Sequence, residues 1–162
     1  MAQGLFDHGA NDEKSFGHGR KDLDQDTRQV AQRASRALIK RTTLSDNSFG
    51  GTSGDGSNTT GNLDVTIVDT AALGINTDDG FFANSAGDAA NTTMYLDNVT
   101  ANNFNVGVYA ANKAIVSMTR SAITENATGA SDFSLVPPGA VYTFGDNEIG
   151  NVNGALTSAS HQ

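Results

Sequence analysis

The chain has no cysteine and no tryptophan, and among its 162 residues there are only two prolines and three histidines. Without cysteine there are no disulfides and no thiolate metal sites. His8, His18 and His161 all lie near the termini, so the chain interior offers no histidine for a Ser-His-Asp triad or a zinc site. Long apolar runs are also missing, and nothing approaches the roughly 20 residues of a membrane span. The N-terminal stretch lacks the apolar core and cleavage pattern of a signal peptide. The sequence therefore reads as cytosolic as written, or as beginning downstream of a natural export signal. A Walker loop, a Gly-x-Ser-x-Gly elbow and a dinucleotide fingerprint are all absent.

Basic residues are scarce beyond the first quarter of the chain. Residues 1–41 hold eight Lys/Arg and six Asp/Glu; residues 42–162 hold only Lys113 and Arg120 against twelve Asp/Glu. An acidic body repels phosphate backbones, which argues against nucleic acid as a partner. It suits divalent cations with oxygen ligands, and it also keeps a Gly/Asn-rich chain soluble.

Apolar content is low, 37% against roughly 45–50% in an average globular chain. Short strand-length runs nevertheless recur: Val65-Thr66-Ile67-Val68, Met94-Tyr95-Leu96, Ala114-Ile115-Val116 and Val141-Tyr142-Thr143-Phe144. Each is followed by polar turn residues. Many short strands with a thin core point to a repeat architecture. A loose repeat of an inward apolar residue, a small residue and then an acid or amide runs through Leu44-Ser45-Asp46-Asn47, Ile123-Thr124-Glu125-Asn126 and Ile149-Gly150-Asn151, with a weaker copy in Val99-Thr100-Ala101-Asn102-Asn103. Asn and Gly tolerate left-handed backbone at tight corners, and stacked Asn side chains can form hydrogen-bonded ladders. The pattern predicts an all-β right-handed parallel β-helix, a solenoid over residues 38–162 with one coil per roughly 22–30 residues. Five coils at the strand spacing of about 4.8 Å make a stub on the order of 24 Å long. Its open end predicts a homo-oligomer. Bulging loops are expected at Gly50 to Gly61, Asn84 to Asn91 and Gly129 to Gly139.

Residues 1–37 are expected to form a flexible arm and a capping α-helix. Val30, Ala34, Ala37 and Leu38 recur at helical spacing, which predicts a helix over 23–38 covering the solenoid's first coil.

Four stretches carry a resemblance. Leu63 to Asp69, Asp79 to Ser85, Met94 to Asn103 and Thr143 to Asn151 resemble the C-terminal part of right-handed parallel β-helix repeat proteins of alphaproteobacteria. Those proteins are longer and exported, and this chain lacks their early coils. The small acidic chain is also similar to a metagenome-derived hydrolase of N-acylhomoserine lactones. That likeness implies calcium-dependent opening of an acyl lactone and designates no residue.

The chemistry left to the body is that of carboxylates. Asp69 and Asp97 open the similar stretches Asp69-Thr70-Ala71-Ala72 and Asp97-Asn98-Val99-Thr100. They are expected to stack on neighbouring coils, where two carboxylates repel unless a cation lies between them. With Asp78 and Asp79 they form the expected Ca²⁺ ligand set; a solvated acidic face is the competing reading. Glu125, Asp146, Glu148 and Arg120 form the expected catalytic set, a carboxylate acting as base and Arg120 polarising a carbonyl or holding a substrate carboxylate. Arg120 can equally be a surface ion pair. Tyr95, Tyr109, Tyr142, Phe81 and Phe82 are either core or a patch for sugar rings or acyl chains. With the resemblance included, the expected function is a Ca²⁺-dependent hydrolase of a small ester or lactone; a non-catalytic carbohydrate-binding or surface module and a carbohydrate-active β-helix enzyme are the alternatives.

Overall fold

The computed structural model describes residues 34–47, 50–57, 61–86, 91–132, 139–153 and 156–158. In chain order the strands are β1 (Ser35–Lys40), β2 (Thr43–Ser45), β3 (Thr52–Asp55), β4 (Leu63–Leu73), β5 (Asp79–Asn84), β6 (Thr92–Asn102), β7 (Val106–Ala111), β8 (Ile115–Thr119), β9 (Ala122–Thr124), β10 (Thr128–Ser131), β11 (Ala140–Thr143), β12 (Glu148–Ile149), β13 (Val152–Asn153) and β14 (Leu156–Ser158). The protein is all-β over these residues, and none of them is helical. Accordingly no helix among them is long and apolar enough to cross a membrane.

The strands form two parallel sheets. The first runs β1-β4-β6-β8-β11-β14, with β2 on β4 and β9 between β6 and β12; the second runs β13-β10-β7-β5-β3. The chain alternates between them, and each return lands beside its predecessor. Leu63 pairs with Thr92, Thr93 with Ile115, and Ile115 with Ala140. Equivalent positions therefore form columns. Val65, Met94, Val116 and Val141 make one, and Ile67, Leu96 and Met118 another. Phe81, Val108 and Ala130 make a third in the second sheet. All these side chains are buried. Burying each of the larger ones contributes about 1.5–3 kcal/mol, which lets a chain of low apolar content hold together. Buried Asn126 serves the backbone: Nδ2 donates to the Ala101 carbonyl (2.8 Å) and Oδ1 accepts the Phe104 N–H (2.9 Å).

Two corners recur. At the first, Arg41, Asp69, Asn98, Arg120 and Gly145 all have positive φ, between 51° and 82°. There β4 and β6 bend without a break, whereas β1/β2, β8/β9 and β11/β12 are separate strands. Thr42, Thr70 and Ser121 each follow the left-handed residue and donate their hydroxyl to the carbonyl two residues back. At the second corner Asp46, Asn76, Asn103, Glu125 and Asn151 are left-handed. The sequence repeat through Leu44, Ala101, Ile123 and Ile149 thus marks a structural equivalence, each residue preceding a left-handed one by two positions. One amide pair stacks at the ends of the second-sheet strands: Asn112 Nδ2 donates to Asn84 Oδ1 (2.9 Å), and Asn84 Nδ2 donates on to the Asp55 carboxylate (3.2 Å).

A glycine column is the feature that sequence reasoning missed. Gly51, Gly80, Gly107 and Gly129 occupy consecutive rungs at the start of the second sheet. A Cβ on Gly80 would lie 2.5 Å from the Gly107 carbonyl oxygen, and one on Gly107 2.6 Å from that of Gly129. The loops expected at Gly50 to Gly61 and Gly129 to Gly139 in part contain strands instead. Both β3 and the end of β10 fall within them, and close approach of neighbouring backbone accounts for Gly51 and Gly129 there.

The expected helix over 23–38 is corrected where it can be seen. Ser35 to Leu38 belong to strand β1, paired to β4 from Ser35–Leu63 to Lys40–Val68. Ala37 and Ile39 continue the inward columns of Val65 and Ile67, and the ladder overrides the helical spacing. The remainder of that helix, and the arm, lie outside the described residues.

Gly107→Ala should destabilise the protein by about 1–3 kcal/mol, because the added methyl meets backbone that cannot move aside. Glu125→Gly should change stability by less than about 1 kcal/mol, since relief at a left-handed corner is offset by added freedom in the unfolded chain. Urea unfolding of both variants checks this.

Candidate functional site

The expected metal set divides between two places. Register puts Asp69 beside Asn98, whose Nδ2 donates to Asp69 Oδ1 at 2.8 Å. Asp97 lies beside Val68 and Thr119 instead. The expected stacking of Asp69 on Asp97 is therefore corrected. The pairing of β4 with β6 runs one position further along than local similarity suggests, and that offset exchanges a corner for a strand position. Asp78 and Asp79 lie elsewhere, at the start of the second sheet. Among the described residues no three His, Cys, Asp or Glu side chains are grouped to hold a metal ion.

The expected catalytic set is also spread out. Arg120 donates from Nε and Nη2 to the two oxygens of Asp97, at 2.8 and 2.6 Å. This two-point hydrogen bond, with the Asp97 charge, raises the guanidinium pKa above its ordinary value. Asp146 accepts the Thr119 hydroxyl at 2.7 Å. Glu125 is exposed at the second corner, and Glu148 is exposed on β12 beside Ala122. The geometry thus joins Arg120 to Asp97, a residue of the other expected set, and leaves Glu125 at a different corner.

A groove of about 540 Å³ opens on the second sheet, lined by Gly51, Thr52, Ser53, Asp78, Asp79 and Phe82. Its shape follows from alternation along the strands. Phe81 points inward and is fully buried, so Phe82 points outward. In the ladder Phe82 has Tyr109 on one side and Ser53 on the other. The Phe82 and Tyr109 rings stack with centroids 5.3 Å apart and an interplanar angle of 29°. The small Ser53 leaves space over the opposite face of Phe82.

Asp79 is half-buried in this groove. Burial, then the charge of neighbouring Asp78, pushes its carboxyl from 3.8 up to about 6. Burial and the Asp79 charge push the Tyr109 hydroxyl up as well. The arrangement offers a proton-exchanging carboxyl beside an apolar ring face, suited to binding a small ring-bearing molecule and to general acid–base chemistry. Phe82, Tyr109, Asp78 and Asp79 were all legible as candidates; Ser53 was not, because its role arises only from the register. No protein-family model matches the chain, nor does any curated protein or any solved structure.

Folding takes up a proton at Asp79 between the unfolded value near 3.8 and the folded value near 6. Its stabilising contribution is complete below 3.8 and is lost as pH rises through about 6. Denaturation midpoints measured across that range should fall with rising pH, and Asp79→Asn should flatten that component of the slope.

Proposed function

We propose that the two sheets are walls of one right-handed parallel β-helix and that the second sheet displays a saccharide-binding groove. The alternation of the chain between sheets supports the solenoid, and right-handedness is the hand that parallel crossover connections take. The resemblance to alphaproteobacterial β-helix proteins agrees with it. The observation that carries the binding reading is the groove over Phe82. A pyranose presents an apolar C–H face to an aromatic ring and hydroxyls to carboxylates, and both surfaces are available here. Two carboxylates and, among the described residues, no Lys or Arg line the groove. This favours a neutral or cationic sugar and disfavours a uronate.

A second reading rests on the raised Asp79 carboxyl. A general base with a value near 6, beside a second carboxylate able to share a calcium ion, suits hydrolysis of a small ester or lactone, N-acylhomoserine lactones included. Asp79 would remove a proton from water, and Phe82 and Tyr109 would hold the acyl chain.

One experiment separates the two. The full chain is screened against a glycan array and, in parallel, for turnover of acyl lactones with and without EDTA. The binding reading predicts capture of neutral or amino-sugar glycans, at least tenfold weaker in Phe82→Ala, a loss of about 1.4 kcal/mol, with no lactone turnover. EDTA-sensitive turnover abolished in Asp79→Asn would favour the hydrolase. Absence of any glycan capture by the folded protein would overturn the binding reading.

A further inference from the structure

We infer that copies of this chain stack end to end, the first strands of one copy docking on the last strands of the next. The columns that build the core run out at both ends. Phe81, Val108 and Ala130 are fully buried, yet Val152, next in the same column, is 47% exposed. At the opposite end of that column Thr52, on edge strand β3, has a buried hydroxyl without a hydrogen-bond partner among the described residues. Val65, Met94, Val116 and Val141 are buried, while Ala37 at the head of their column is exposed. Strand β1 has β4 on one side and no described strand on the other, and β2 and β12 are edges in the same way. Such edges present unpaired N–H and C=O groups, and a parallel ladder with the same spacing satisfies them.

The occupant follows from charge. At the first end Lys40 and Arg41 are exposed at the first corner, Arg36 lies 3.6 Å from Asp64, and Asp46 and Asp55 are exposed further along; at the last end Asp146 and Glu148 are exposed at the same corner, and the described residues of the last strands include no base. The column Thr43, Ala71, Thr100, Ala122, Glu148 spans the molecule. Arg41 stands two residues before Thr43, as Asp146 stands two before Glu148, so a second copy continuing the columns brings basic corner towards acidic corner. Arg120 and Asp97 already make such a contact within the chain. Unlike ends meet head to tail, so the contact is heterologous and propagates as a filament unless an end is covered.

Sedimentation velocity of the full chain over rising protein concentration tests this, with circular dichroism to confirm folding. The inference predicts association that weakens in high salt. Arg41→Glu or Asp146→Arg alone should shift association to at least tenfold higher concentration, and the double exchange should restore it, because opposite charges meet again. A monomer at every concentration would overturn the inference. Association indifferent to the single reversals would overturn it too.

Discussion

Everything in this molecule depends on parallel backbone pairing held in register from one passage of the chain to the next. Each strand is paired on both sides except at the two ends, so a side chain's surroundings are set by residues far along the chain, 22 to 29 positions away in most pairs and 15 between β11 and β14. That constraint explains why composition looks unusual while the fold is regular. A narrow interior accepts Ala, Val, Ile and Met in columns, with a buried asparagine where the backbone turns. Where two passages approach most closely, only glycine fits, and it recurs at Gly51, Gly80, Gly107 and Gly129. Where the chain bends, left-handed residues recur, and most are not glycine. Side-chain and backbone hydrogen bonds along the axis hold them there, offsetting a conformational cost of about 1–2 kcal/mol each.

The same constraint makes the groove. A phenylalanine that stacks on a tyrosine in the next strand would ordinarily continue into an aromatic column. Here the preceding strand supplies Ser53, and the column stops one ring short of the sheet edge. The carboxylates of Asp78 and Asp79 stand beside that gap. Partial burial of Asp79, and then the charge of Asp78, keep Asp79 able to exchange a proton near pH 6. The acidic residues at and beside the first corner behave differently: Asp97 is satisfied by Arg120, and Asp69 by Asn98. Acidity alone therefore did not mark the site; a carboxyl beside an unfilled ring position did.

Much of this architecture was legible in the sequence. Alternation in Val65 to Val68 and Met94 to Leu96 announced strands, and the repeat ending in Asp46, Glu125 and Asn151 announced corners. What was not legible depended on register. Asp69 and Asp97 match by local similarity, but every pair between β4 and β6 is displaced from that match by one position, so that Val68 faces Asp97 and Thr70 faces Val99. Thr52 to Asp55 carry no apolar signal and become a strand only because β5 lies beside them. Ser35 to Leu38 fit a helical spacing and an alternating one equally, and the partner strand decides. The groove's aromatic and acidic members could be named in advance; that they share one face could not.

The most direct test of the in-register stack exploits the absence of cysteine. Thr66 and Tyr95 are paired across β4 and β6, both facing outward. At the roughly 4.8 Å strand spacing, engineered cysteines at these two positions fall within the Cα separation that a disulfide requires. Oxidation of Thr66→Cys/Tyr95→Cys should give a monomeric cross-linked product with unchanged circular dichroism, and Thr66→Cys/Ser117→Cys, two strands apart, should not close. A cross-link in the second pair and none in the first would contradict the register, and with it the account of the glycine column, the corners and the groove.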